Sequence, residues 1–589
     1  MKLISLKVGN LPPEKQFRSL NPGFELNFHN LDDEGLATMQ TFSPFCFAGL
    51  NGSGKSNVLE ALSAIFFHIE CCVAKFKPES FERHFKRNEC ALDAFTLVYL
   101  IGLPKQDNYL IESFFKITIT KQLGLEPKLF RQSYPFTADE PLIEESLVPS
   151  TIKNNQDPAP GKIYLPDVVV GYSSGENEIL SLPFRKSRLL NFDKYIEDYE
   201  AKRPFSEPEN SLIYVDSEMS QAVLLACLLF EDPKTTLRPI KEELKIQDIR
   251  SFRMHLNNLY YERQDAKSYE PILTHIDNII CSLKKCATSW YEHKEEVELQ
   301  GKARIMSILT LDFFVEEDTK RIFKTLFKDS FELFRFFQVL YELNSTFVNE
   351  GIKEEVYKSK GFYIDGKIPV GSPEQNVFYF LDYLILKKID ANGPPKELLL
   401  REFSDGEHQF LHTMGICLML KNRRSILLLD EPETHFNPSW RAKFVKLLGD
   451  SIAAGAKSKI NKTAINLHLM KDVILTSHSP FIISDCLPNN VVLFKKDKSN
   501  GRIHPKTAKE INFNTYGTSV DLILQEIFEM DYSISLQALS EIKALLKNKS
   551  ANSIIEGAKR LGESYEKGFL YERIEELKKK NNLNSESQE

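Results

Sequence analysis

Apolar and polar positions along the chain change their period several times. Up to about residue 185, the stretches KLISLKV, FRSLNPGFELNF, AFTLVYLIGL and SFFKITITK predict strands. Among them the apolar run FSPFCFAG leads through a Gly-rich loop into SNVLEALSAIFFHI, whose apolar residues recur at helical spacing. A link over 133–165, containing Pro and Asn, predicts an exposed excursion. From 186 to 395 the pattern predicts mainly helix: QAVLLACLLF, PILTHIDNIICSLKKCATSWYEH and TKRIFKTLFKDSFELFRFFQVLYEL carry apolar residues three and four apart, with a few short strands such as GFYIDGKIPV. Strand-like runs return in SILLLD, DVILTS and NVVLFKK, so 396–515 reads as the second lobe of the unit begun by 1–185, split by the helical insertion. Residues 516–589 close the chain as charged amphipathic helix. Its stripe Leu536, Leu539, Ile542 and Leu546 suits partner docking or packing on its own domain.

Length, charge and cysteine usage narrow the class. A chain of 589 residues is too long for one hydrophobic core and predicts two to four domains. The formal net charge of −7 provides no global attraction for nucleic acid, so any such contact must rest on local patches such as FKRNE, KSRLL or FRMHLNNLYYERQ. The nine cysteines form no C-x-x-C pair, and Cys71–Cys72 and Cys281/Cys286 lack companions at metal-site spacing; free thiols in a reducing compartment follow. MKLISLKVGNLPPEKQF has no apolar core of signal-peptide length, and the sequence reads as cytoplasmic.

The chemistry concentrates in four short runs. GLNGSGKS, Gly49 to Ser56, fits the phosphate-binding pattern and lies between an apolar strand and a helix, the context that gives the pattern meaning. Backbone N–H groups of Asn51, Gly52, Ser53 and Gly54 would close around phosphates at a helix N-terminus, with Asn57 just inside the helix. Lys55 would bridge the β- and γ-phosphates and Ser56 would ligate Mg²⁺. SILLLDEPE ends a buried strand at Asp430, placed to hold Mg²⁺, with Glu431 next along as general base for water. DVILTSHSP ends a second strand at Thr476, Ser477 and His478, whose imidazole would hydrogen-bond a γ-phosphate. In FSDGEHQ, Ser404 offers a hydroxyl, Gly406 a free N–H and Glu407 a carboxylate at the start of a helix; the same SDGE is also an ordinary N-cap and turn.

Taken in order, GLNGSGKS, FSDGEHQ, LLLDEPETHFNP and TSHSP resemble the split ABC-type head of the SMC, RecF and OLD-like ATPases, over roughly 1–185 and 396–512. The resemblance implies an α/β P-loop ATPase using ATP and Mg²⁺, and a homodimer in which Ser404, Gly406 and Glu407 close over the nucleotide of the second head. By the same resemblance Arg18 is an ATP contact, and His435 and Asn437 touch the opposite head. Asp405 departs from the glycine many cassette proteins carry there. VVVGYSSGENE mimics a signature loop ahead of the insertion and leaves the Q-loop residue open between Asn177 and Gln221.

FRSL, VVGYSSGENE, IYVDSEMSQAVLLACLLF and NTYGTSVDLI more loosely resemble the PtuA-type ATPases of Septu and retron-linked antiphage systems. That likeness implies an even-numbered assembly restraining or releasing a separate HNH nuclease, in retron versions also with a reverse transcriptase and its single-stranded DNA. The rival reading is a DNA-repair or recombination ATPase clamping DNA. Asp485, Asp497, Asp521 and Asp531 form no D-x-D pair, so no built-in nuclease of the OLD kind is expected.

Overall fold

The computed structural model describes the chain except residues 33–34, 37–38, 40, 105–110, 135, 138–139, 153–154, 176, 206, 217–218, 259, 263–268, 300–301, 362–366, 370, 372–375, 390–392, 454–470, 498–500 and 587–589. Seven strands form the central sheet: Phe45–Ala48 (β1), Val168–Ser173 (β2), Leu212–Tyr214 (β3), Ser425–Asp430 (β4), Lys471–Thr476 (β5), Val491–Lys496 (β6) and Ile503–Thr507 (β7). They lie in the order β3-β2-β4-β5-β1-β6-β7, parallel except for the β6–β7 pair.

SILLLD and DVILT read as unbroken apolar runs because both faces of a parallel sheet are covered. Val170, Leu427, Leu429 and Leu475 enter one core, whereas Val169, Ile426, Leu428 and Ile474 enter the other. The sheet is therefore assembled jointly by residues on both sides of a stretch of roughly two hundred intervening positions.

Seven helices matter for the argument: Lys55–Val73 (α1), Glu178–Glu200 (α2), Glu350–Lys358 (α3), Asp405–Met419 (α4), Leu536–Leu546 (α5), Ala551–Ala558 (α6) and Tyr565–Glu586 (α7). Helix α1 is long and apolar enough by composition to cross a membrane, and it is buried in the core beside the central sheet. A second, six-stranded antiparallel sheet starts from the Lys2–Val8 strand and includes AFTLVYLIGL and SFFKITITK as neighbours. It is pinned to the central sheet at Asp472, which accepts from Leu3 N at 2.6 Å and meets His29 Nε2 at 3.0 Å.

The stretch expected to be mainly helical keeps its helices, Met219–Phe230 with QAVLLACLLF among them, and carries a sheet beside them. Ser289–Leu299, Lys302–Phe314, Ile246–Asn258, Phe378–Lys387 and Lys396–Leu399 form five antiparallel strands in that order. The run PILTHIDNIICSLKKCATSWYEH is a 3-10 helix over Ile272–Ile276 and α-helix over Asp277–Cys286, then turns into strand at Ser289. Its three-and-four spacing ends at Cys286, and beyond it SWYEHKEEVEL pairs along its whole length with the following strand. TKRIFKTLFKDSFELFRFFQVLYEL is two helices, Glu317–Leu326 and Ser330–Glu342, divided where Asp329 caps the second by accepting from Glu332 N. The strand expected at GFYIDGKIPV lies largely outside the described residues. All nine cysteines are free, and all but Cys281 are buried.

Candidate nucleotide site

The P-loop leaves β1 and turns into α1 at Gly54, the N-cap, with φ 95°. A Cβ there would lie 2.4 Å from Ile503 Cδ1 and 2.6 Å from Ser19 Oγ, so both conformation and space demand glycine. Asn51 and Gly52 form the exposed crest, while Ser53 and Lys55 are buried. Lys55 Nζ donates to the carbonyls of Gly49 at 3.0 Å and Leu50 at 3.1 Å, folded onto its own loop. Burial lowers the Lys55 pKa, and Glu431 and Asp430 oppose that shift. Ser53 Oγ is buried without a hydrogen-bond partner among the described residues. A loop with a curled cation and an orphaned hydroxyl fits a phosphate chain, which supplies acceptors to both.

Three side chains converge on Asp430. Ser56 Oγ donates to its Oδ1 at 2.8 Å, Thr476 Oγ1 donates to the same oxygen at 2.7 Å, and Asn177 Nδ2 donates to Oδ2 at 2.8 Å. The convergence follows from strand order: β5 lies between the P-loop strand and β4, in register so that Thr476 sits opposite Asp430 on one side and Phe47 on the other. Asn177 also caps α2, accepting from Leu180 N at 3.0 Å. Of the two Q-loop candidates, Asn177 is therefore beside the metal-site carboxylate. Gln221 contributes its backbone carbonyl to Tyr383 elsewhere.

Glu431 adopts φ 49°, a left-handed conformation unusual for a residue with a side chain. Its N–H donates to Thr476 Oγ1 at 3.0 Å, which holds that conformation. The Glu431 carboxylate lies 3.4 Å from His478 Nε2. Burial and then Asp430 raise the Glu431 pKa, whereas burial and then Lys55 lower that of His478. Glu60 and Glu433 are both pushed up to about 7, chiefly by burial. Carboxylates crowded in this way favour a bound cation, and Ser56 with Asp430 would hold Mg²⁺ alongside the phosphates. Mg²⁺ when bound would neutralise phosphate charge. From this chain, Glu431 can accept a proton from water and His478 can donate to an anion.

Arg18 is held at φ 55°, its Nε 3.8 Å from Glu60 Oε2 on α1, so the residue expected at the phosphates here faces the P-loop helix. Asn57, one turn into that helix, hydrogen-bonds Ser19.

Ser404 is an N-cap in a full capping box. Glu407 N donates to Ser404 Oγ at 3.4 Å, and Ser404 N donates to Glu407 Oε2 at 2.9 Å. Glu407 also pairs with Lys387; burial works against its ionisation, but these donors hold it below the ordinary value. Ser404 remains exposed at the start of the fifteen-residue α4, so capping and presentation to an outside anion coexist. Gly406 meets the loop after Glu431: a Cβ would lie 2.7 Å from the His435 carbonyl oxygen. His435 N in turn donates to Gln409 Oε1 at 3.0 Å. Asn437 accepts from Trp440 N at 2.9 Å, capping a short helix.

The fold is a P-loop α/β fold, with the phosphate-binding loop between β1 and α1 of a mainly parallel sheet. Residues 336–484 match the family described as "AAA domain, putative AbiEii toxin, Type IV TA system". That stretch holds Ser404, Asp430, Glu431 and His478 of the ATPase site, with the P-loop outside it. The chain is similar to Septu protein PtuA of Bacillus thuringiensis, 22% identical over 153 residues, or 26% of this chain. The match spans 34% of that relative's length. A solved structure, "Crystal structure of the SmcHead bound to the C-winged helix domain of ScpA", aligns over 87% of this chain and 99% of its own with TM-score 0.31 and 8% identity.

The sequence names Thr476 only as a strand end and gives no role to it, nor to Gln409, Glu60 or Glu433. Thr476 had a signal, the last residue of an apolar strand beside an acidic one. The others depend on which elements pack together.

Proposed function

We propose that the protein binds Mg-ATP on the P-loop and hydrolyses it between two copies. Lys55 and the loop N–H groups hold the phosphates, Ser56 and Asp430 the metal, Glu431 activates water, and His478 reads the γ-phosphate. The observation carrying this reading is the convergence of Ser56, Thr476 and Asn177 on Asp430 directly beside a strained Glu431. Ser404, Gly406 and Glu407 face the nucleotide of the second copy, with the lobes 1–185 and 396–515 forming the head and 186–395 its insertion.

The likeness to Septu protein PtuA supports an antiphage role. In that role the ATPase controls a separate HNH nuclease, in retron settings with a reverse transcriptase and its single-stranded DNA, and the helical tail 516–589 is a docking element. The test is light scattering of Glu431→Gln protein, with and without ATP, co-expressed with its neighbouring reading frames. An ATP-dependent even-numbered assembly carrying a nuclease subunit is the expected result. A monomer in saturating ATP overturns the composite site, and salt-sensitive, ATP-dependent DNA binding without a nuclease replaces the defence reading with a DNA clamp.

A further inference from the structure

A second cleft, open to solvent and about 110 Å³ in volume, lies beside the P-loop helix. Helix α1 presents Glu60, Ala64, Phe67 and His68 to it, one to three turns beyond Ser56. Aromatic rings form one wall: Phe81 stacks on Phe85 at 5.2 Å, meets Tyr357 edge-on at 5.1 Å and Phe67 at 6.3 Å.

The cleft holds a cation that has no counter-ion among the described residues. Lys186 Nζ donates to the carbonyls of Ser359 at 2.6 Å and Tyr357 at 3.1 Å, and sits 6.0 Å from the Phe67 centroid. Among the described residues no carboxylate pairs with it. An ammonium has three protons to donate, and two are used. Burial lowers its pKa to about 8, which leaves it mostly charged at neutral pH. A desolvated charge without a partner is costly, and an anion entering the cleft would remove that cost. Lys358 and Lys360 line the same opening, partly offset by Glu354 and Glu89.

Acceptors lie on other parts of the lining. Pro183 inside α2 has no N–H, so the Ile179 carbonyl loses its helical donor, and both residues line the cleft. Glu60 adds a carboxyl group. Rings, acceptors and an unpaired ammonium together match a planar base with donor edges joined to an anion.

We propose that this cleft is a second ligand site, for a mononucleotide, with its base against the Phe67–Phe81–Phe85 wall and its phosphate on Lys186. Base–aromatic stacking holds the base, and the lysine supplies a charge-assisted contact. The bound ligand would touch Phe17 and Glu60, and Glu60 is the residue facing Arg18. The site is thus an effector site lying against the P-loop helix, separate from the ATP site.

The experiment is calorimetric titration of AMP into full-length Lys55→Ala protein, so that the P-loop is silenced. Saturable binding of one AMP per chain is expected, weakened roughly tenfold or more by adding Lys186→Met. Ala91→Phe, which fills the cleft without removing a charge, is expected to abolish the binding while leaving the melting temperature near that of the parent. If Lys186→Met does not fold, Ala91→Phe decides. No saturable AMP binding, or binding indifferent to both changes, overturns the proposal. Inorganic phosphate or benzoate binding as tightly as AMP overturns the mononucleotide assignment. Failure of the P-loop reading is recognised separately, by unchanged ATP affinity in Lys55→Ala.

Discussion

Thr476 is the residue on which the candidate site turns, since its hydroxyl donates to Asp430 and accepts from the N–H of Glu431. Thr476→Val keeps the β-branched shape and removes both contacts. We predict ATP affinity within about threefold of the parent and hydrolysis at least roughly tenfold slower, read by equilibrium binding and phosphate release. Lys55→Ala is expected to lose ATP binding in the same assay. Glu433 supplies a pH signature. Its carboxyl has a folded pKa of about 7 against an ordinary 4.5, so the folded state binds the extra proton between those values. Stability contributed by that proton is present at low pH and lost as pH rises from about 4.5 through about 7. Glu433→Gln has no such slope, so its advantage over the parent grows from near zero at pH 4 to the order of 3 kcal/mol at pH 8 in denaturant titrations. A difference that is flat with pH would show that Glu433 is not protonated in the fold.

At the scale of elements, α4 and the loop after β4 are packed and hydrogen-bonded together. Gly406 allows the His435 carbonyl to approach, and Gln409 hydrogen-bonds the His435 N–H. Gly406→Ala forces a contact shorter than van der Waals distance and is predicted to destabilise the protein by about 1–3 kcal/mol. Because that loop begins at Glu431, hydrolysis should fall with it while ATP binding on the P-loop is largely kept. Thermal melts and single-turnover hydrolysis on one preparation check both parts.

At the scale of the molecule, the tail packs on itself. Ile542, Ile554, Leu570, Ile574 and Leu577, from α5, α6 and α7, form a core cluster separate from the two that cover the central sheet. Leu570→Ala should cost roughly 2–5 kcal/mol within that cluster alone. Hydrogen exchange should accelerate across α5–α7 while ATP affinity and exchange in the central sheet stay as in the parent. Leu536, expected to belong to the apolar stripe, is 79% exposed, whereas Leu539 and Ile542 are buried.

Sequence alone determined the features whose physics is local: the P-loop, where glycines and a helix start are adjacent; the apolar strands ending at Asp430 and Thr476, which no half-exposed sheet would tolerate; and the alternation of AFTLVYLIGL and SFFKITITK. Tertiary structure decided what depends on partners distant along the chain. Asn177 reaches Asp430 because β2 pairs with β4 and brings the start of α2 beside it. SWYEHKEEVEL became strand because the Lys302–Phe314 strand paired with it, and its many charges suit an exposed edge as well as a helix face. Ser404 reads as a cap from either level, since a capping box needs only residues three apart. The cleft around Lys186 exists only where α1, α2 and the end of α3 meet, because a missing counter-ion is a property of the packed neighbourhood and not of a lysine in a sequence.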